Sequence, residues 1–236
     1  MISLSVNINK IATIRNSRGG SVPNVVEAAK MCQKFGADGI TIHPRPDERH
    51  ITKKDVYNIK SVVNTEYNIE GYPSLDFIKM IIDVMPDQVT LVPDGPNVLT
   101  SCAGWDTINY QSFLKEIISE FKAKGIRTSI FVDPKIKMVE GAKICGTDRV
   151  ELYTEQYASN YLKNKNKAIF SYVQAANTAN QLNLGINAGH DLNLENLEFF
   201  AKNIPNLKEV SIGHALISDA LYLGLENTIQ MYRRLL

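Results

Sequence analysis

Eight short runs of strand-forming residues, separated by helical stretches, constrain this chain more than any other feature. They are SLSVNI (3–8), GITIH (39–43), YNIEGY (67–72), QVTLV (88–92), RTSIFV (127–132), RVELYT (149–154), LGINAG (184–189) and EVSIG (209–213). The runs are rich in Val, Ile, Thr and Tyr and read as largely apolar on both faces, the pattern of parallel strands covered by helices. Their separation of roughly 20 to 40 residues suits one helix per crossover, and eight is the number of strands that closes a small barrel. The expectation is a (β/α)8 TIM barrel. An open doubly wound sheet shares the alternation, but no GxGxxG follows the first strand to suggest a nucleotide fold.

The intervening segments carry helix signals. VVEAAKMCQKFG (25–36) ends in a glycine suited to the C′ position. Thr52 with Asp55 looks like a capping box, Ser74 is a plausible N-cap, and Pro86 follows the end of that helix. FLKEIISEFKAKG (113–125) is amphipathic, and further helices are expected over 135–145, 167–182, 193–203 and 216–235. With no linker, low-complexity tract or strong repeat, 1–236 reads as one domain, and 236 residues is the size such a barrel needs.

Charge narrows the function class. Lys and Arg number 26 against 25 Asp and Glu, so the basic footprint of a nucleic-acid binder is missing, and anionic ligands would have to be captured by a few local cations. The cysteines Cys32, Cys102 and Cys145 are odd in number and far apart, which suits reduced thiols rather than a zinc site or redox pair. No apolar run approaches the ~20 residues of a membrane span, and the N-terminus lacks a signal-peptide pattern. A soluble, cytoplasmic protein with no nucleic-acid or membrane partner is expected.

In a barrel the active site lies at the C-terminal ends of the strands. The polar residues there are Asn7, Asn9 and Lys10 after strand 1; His43, Arg45, Arg49 and His50 after strand 2; Glu70 on strand 3; Glu151 and Tyr153 on strand 6; Asn187, Gly189 and His190 on strand 7; and Gly213 and His214 after strand 8. All four histidines follow a strand, and imidazole is the side chain best poised for proton transfer near neutral pH. Glu70 sits in an apolar strand, where burial should raise its pKa and suit it to act as a base, unless a cation such as Arg45 or Lys10 pairs with it. Glu151 carries the same two readings. Gly189 and Gly213 lie where barrels often bind phosphate on backbone N–H groups, and Arg18 and Arg45 are candidates for a second phosphate. The loop 93–106, with Thr100 and Trp105, is long enough to be a lid.

At these residues the sequence resembles the pyridoxine 5'-phosphate synthase family. The stretches are VNINKIATIRNSRGG (6–20), GADGITIHPRPDERHI (36–51), LVPDGPNVLTSCAGWD (91–106), INAGHDLNLEN (186–196) and SIGHALISDAL (211–221), in order along the whole chain. The resemblance implies a barrel that condenses 3-amino-2-oxopropyl phosphate with 1-deoxy-D-xylulose 5-phosphate, giving pyridoxine 5'-phosphate, phosphate and water. It implies no metal or organic cofactor, and a homo-oligomer, an octamer. His43 and Glu70 match the family's general bases, His190 its general acid, and Glu151 the carboxylate for transition-state stabilisation or proton relay. Asn7, Arg18, Arg45, His50, Thr100, Gly213 and His214 match substrate-binding positions.

Two departures stand out. Asn9-Lys10 replaces a common Asp-His, and Asp191 stands where glycine is common; all three residues fall at positions that the resemblance assigns to substrate binding. Three other functions compete: a Schiff-base aldolase on Lys10, a metal-dependent epimerase using the His and Glu residues as ligands, and a phosphosugar-binding regulator that performs no turnover.

Overall fold

The eight strand-forming runs close into one barrel in the computed structural model, which describes residues 1–94 and 103–236. The chain runs β1 (Ser3–Asn7), α1 (Asn9–Asn16), α2 (Val25–Lys34), β2 (Gly39–Ile42), α3 (Lys53–Lys60), β3 (Glu66–Gly71), α4 (Leu75–Val84) and β4 (Gln88–Leu91). It continues with α5 (Gln111–Ala123), β5 (Arg127–Val132), α6 (Ile136–Cys145), β6 (Arg149–Tyr153), α7 (Glu155–Tyr161), α8 (Lys165–Gln181), β7 (Gly185–Gly189), α9 (Leu197–Asn203), β8 (Leu207–Ile212), α10 (His214–Leu223) and α11 (Leu225–Arg233). Every strand pairs in parallel with its sequence neighbours, and β1 pairs with β8, so no sheet edge is left open.

Local chemistry accounts for the helix starts. The Thr52 hydroxyl accepts from Asp55 N–H while the Asp55 carboxylate accepts from Thr52 N–H, the expected capping box. Ser74 caps α4, and Asn24 and Asn164 cap α2 and α8 through their side-chain oxygens. The stretch expected as one helix over 216–235 is two, α10 and α11, because Gly224 adopts φ +78° between them. Helices α1 and α7 were not legible in the sequence.

One expectation about the strands is overturned. They are not apolar on both faces. Outward-facing residues such as Leu4, Ile40, Ile69, Val150 and Ile212 are fully buried against the helices in one continuous core. The alternate residues point inward and are mostly polar. Ser5 and Thr41 hydroxyls lie 2.7 Å apart, Asn68 Nδ2 donates to Thr41 Oγ1 at 3.3 Å, and Thr90 Oγ1 donates to Asn68 Oδ1 at 3.1 Å, a hydrogen-bond chain across β1 to β4. Barrel lumens of this type are commonly filled by branched apolar side chains. Here the period-2 alternation puts the hydrophobic driving force outside the sheet, and every polar group inside needs a partner in the lumen.

Candidate active site

Glu70, at the end of β3, is the centre of the mouth. Asn7 Nδ2 on β1 and Ser211 Oγ on β8 each lie 3.5 Å from one of its two carboxylate oxygens, and His43 Nδ1 is 3.9 Å from Oε2. Burial, then the nearby Asp94 carboxylate, push the Glu70 carboxyl up to about 8, against weaker opposing help from Ser211 and Arg45. His43 is held well below the usual imidazole range, by burial first and then by Arg45, His50 and Arg49. The pair is therefore a neutral imidazole beside a carboxylic acid at neutral pH, rather than a salt bridge. The Arg45 read as a possible partner of Glu70 pairs with Asp94: its Nη2 meets Asp94 Oδ2 at 2.7 Å, both side chains being buried.

Glu151 on β6 is the second buried carboxyl. Burial, then the Glu70 charge, raise it well above the ordinary carboxylate range. The nearby Thr90 hydroxyl opposes that rise only weakly. A Cβ on Gly189 would come within 2.6 Å of Glu151 Oε1 and 2.8 Å of the Ser211 carbonyl, so the glycine makes room for the carboxyl. That packing role is a reason for Gly189 distinct from the phosphate approach read from sequence.

Around this centre the first strand-to-helix turn positions the second. Asn7 Oδ1 accepts from Asn9 N–H, and Asn9 Oδ1 accepts from His43 N–H at 2.9 Å, so Asn9 orients the backbone that carries His43. His50 Nδ1 accepts from Ile51 N–H at 2.9 Å, which assigns the ring proton of neutral His50 to Nε2. Burial, then Arg45, Lys10 and Arg49, lower His50 to about 4. Its ring lies edge-on to His43 with centroids 6.3 Å apart. Across the mouth, Val92, Phe131 and Tyr153 form a small separate apolar cluster, and the Tyr153 ring meets His190 edge-on at 5.1 Å. The site thus has a polar wall from β1 to β3 and an apolar wall from β4 to β6.

His190 has φ +101°. Thr154, fully buried, holds its turn by donating from Oγ1 to the Gly189 carbonyl at 2.6 Å and accepting from Asp191 N–H at 3.3 Å. Gly213 is the N-cap of α10 with φ −118°, no side chain caps that helix, and His214 opens it. The first-turn N–H groups of α10 therefore meet the requirement for an oxyanion site. A Cβ on Gly213 would lie 3.1 Å from Asn7 Cβ and Cγ, so space rather than a positive φ favours glycine there.

Not every residue read from the sequence converges. Lys10 and Arg18 are exposed, Lys10 at the start of α1 and Arg18 in the turn after it. Thr100 lies outside the described residues, as do its neighbours over 95–102. Trp105, at the other end of that loop, is buried against Tyr72, Tyr110 and Phe113, and its backbone N–H donates to the Phe131 carbonyl. Asp191 turns its carboxylate onto His190 Nδ1 at 2.6 Å. Residues the sequence reading passed over include Asp94, Ser211, Thr90, Thr154 and Arg15. Arg15 clamps the segment 50–55 through a bidentate pair with Asp55, at 2.7 and 2.8 Å, and a bond to the His50 carbonyl. Thr154 and Asp94 each sit just past a strand and were within reach of the strand-end rule. Among the described residues no group of three or more His, Cys, Asp and Glu side chains is placed to hold a metal ion, and no helix is long and apolar enough to cross a membrane.

Comparison with known proteins agrees with this geometry. Solved structures of similar shape include a phosphoribosylanthranilate isomerase from Thermotoga maritima, with a TM-score of 0.62, 14% identity, and 100% and 98% of the two chains covered. Another is a thiamine phosphate pyrophosphorylase from Pyrococcus furiosus, with a TM-score of 0.63, 11% identity, and 99% and 95% covered. At such identities they speak to the fold alone. Sequence relatives are far nearer. The pyridoxine 5'-phosphate synthase of Christiangramia forsetii is 61% identical with both chains fully covered, and that of Cytophaga hutchinsonii is 64% identical over 99% and 98% of the chains. The family model described as pyridoxal phosphate biosynthesis protein PdxJ matches residues 4–236. The chain belongs to the PdxJ family of pyridoxal phosphate biosynthesis proteins.

Proposed function

We propose that this chain is a pyridoxine 5'-phosphate synthase, condensing 3-amino-2-oxopropyl phosphate with 1-deoxy-D-xylulose 5-phosphate by acid/base chemistry in vitamin B6 synthesis. Full-length relatives named for that activity support the reading. The observation that carries it at the site is the contact of His43 with Glu70, a neutral base beside a carboxyl poised near neutrality. Joining an amine to a ketone, eliminating phosphate and closing a ring require protons to move on and off carbon, nitrogen and oxygen in turn. Groups whose protonation is balanced near the working pH do this best.

In this reading neutral His43 and, once ionised, Glu70 accept protons, His190 donates one to a leaving oxygen, and Glu151 relays or stabilises charge across the lumen. The N–H groups opening α10, with Gly213 and His214, hold one phosphate. Arg45, His50, Asn7, Arg18 and Thr100 are assigned to the substrates, while Asn9 acts through the His43 backbone and Lys10 contributes charge at the rim. The reading also places the protein in the cytoplasm as a homo-oligomer, an octamer. Light scattering tests the assembly. The direct test of activity mixes the purified protein with both substrates and follows pyridoxine 5'-phosphate by mass and ultraviolet absorbance. No product from a folded protein would refute the function.

A further inference from the structure

The turn after β7 carries a side-chain pair that the general chemistry does not require. His190 Nδ1 and Asp191 Oδ2 are 2.6 Å apart, and the two residues are adjacent in sequence. The contact depends on a backbone held on both sides. Asp191 N–H donates to Thr154 Oγ1, and Asn196 Nδ2 donates to the Asp191 carbonyl at 3.2 Å. Just before it, His190 occupies φ +101°, a conformation a residue with a Cβ adopts only when its surroundings impose it. The Tyr153 ring meets the imidazole edge-on at an interplanar angle of 89°.

A carboxylate can only accept, so the ring nitrogen facing it must carry the proton. We infer that Asp191 is a positioning residue that fixes His190 as the Nδ1–H tautomer and makes Nε2 the nitrogen that exchanges a proton with substrate. The inference rests on the reading of His190 as proton donor. It reassigns Asp191 from a substrate contact to a partner of the donor, a role a glycine at this position could not fill. The logic is that of any carboxylate-oriented imidazole, in which the acceptor on one nitrogen sets the tautomer and aim of the other.

The test combines spectroscopy with kinetics. Protein labelled with 15N-histidine, with His190 assigned through His190→Gln, reports the ring tautomer directly. The expected result is Nδ1–H in the neutral ring of the native protein and a shift towards Nε2–H in Asp191→Gly. In steady state, Asp191→Gly should lower kcat by about tenfold, with KM for each substrate within about threefold. Asp191→Asn, whose amide oxygen still accepts from Nδ1–H, should recover most of kcat. An Nε2–H tautomer in the native protein overturns the inference, and so does a raised KM with unchanged kcat, which would make Asp191 a substrate contact. Undiminished kcat in His190→Gln would instead overturn the reading of His190 beneath it.

Discussion

The two ends of the lumen use the same residue types to opposite ends. At the C-terminal mouth, Glu70 and Glu151 are buried beside hydroxyls, an amide and a neutral imidazole, and Arg45 pairs with Asp94. At the other end, the half-buried Glu66 and the buried Glu209 lie with two guanidinium groups. Arg127 pairs with Glu66 and hydrogen-bonds Gln88 at 2.9 Å, and Arg149 reaches both Glu209 and Asn187 at 3.1 Å. Burial alone would raise Glu66, but its hydrogen bonds with Glu209 and Arg127 outweigh that and leave it below the ordinary range. Glu209 is pushed well above the ordinary range by burial and then by the Glu66 charge, with Arg149 pulling the other way. The lower layer is thus a neutralised plug, whereas the mouth holds carboxyls that a substrate or a change in pH can ionise. A buried carboxyl is therefore structural or reactive according to whether a cation is held against it.

The sharpest test of this contrast compares substitutions at the two ends. Glu70→Gln and His43→Asn should each cut turnover by about 100-fold or more with the fold intact, the scale of losing a general base. Arg149→Met should do the reverse: it strips the counter-charge from Glu209 and should cost about 3–5 kcal/mol of stability in urea unfolding. Turnover per folded molecule should stay near normal. If Arg149→Met abolishes turnover in folded protein, the division between plug and active mouth fails.

A smaller effect is expected at the proposed phosphate cradle. Gly213→Val crowds Asn7 and the approach to α10 without demanding a positive φ. KM should rise by about tenfold, while stability falls by about 1–3 kcal/mol from overpacking. Normal binding of both substrates, or an anion found elsewhere on the rim of a product-soaked crystal, would remove that assignment.

The pH dependence should separate the ends more gently. The Glu70 carboxyl is near 8 when folded but about 4.3 in an unfolded chain. Between those values the folded state holds a proton that the unfolded state has lost, so stability falls as pH rises through that window and levels off above it. Glu70→Gln should flatten this slope, measured as the urea midpoint at pH 5 and pH 8.5, and kcat/KM of the native enzyme should climb towards pH 8 as Glu70 ionises. An unchanged slope in Glu70→Gln would mean that Glu70 is not the poised group. Chelator should have the smallest effect, none on activity; loss restored by a divalent ion would favour a metal-dependent reaction instead.

Strand number, helix caps such as Thr52 with Asp55, and the strand-end histidines were legible because they depend on residues close together in the chain. The same rule picked out Glu70 and Glu151 but could not say whether either was paired. Ser211 reaches Glu70 across 141 residues and Arg149 reaches Glu209 across 60, separations that carry no local signal. The polar lumen was present in the sequence as alternation within runs such as EYNIEG. It was read as apolar on both faces because each run is short and its Thr and Tyr residues favour strands on either reading.

By itself the sequence determined that eight strands alternate with helices, that the titratable residues gather at strand ends, and that the chain resembles a B6-synthesising family. These follow from local propensity, periodicity and motif, which act over a few residues. Closure of the barrel decided the rest. It set Arg45 against Asp94, left Glu70 beside His43, and turned Asp191 onto His190. Ionisation depends on what surrounds a group within a few ångströms, and only the folded chain brings those neighbours together.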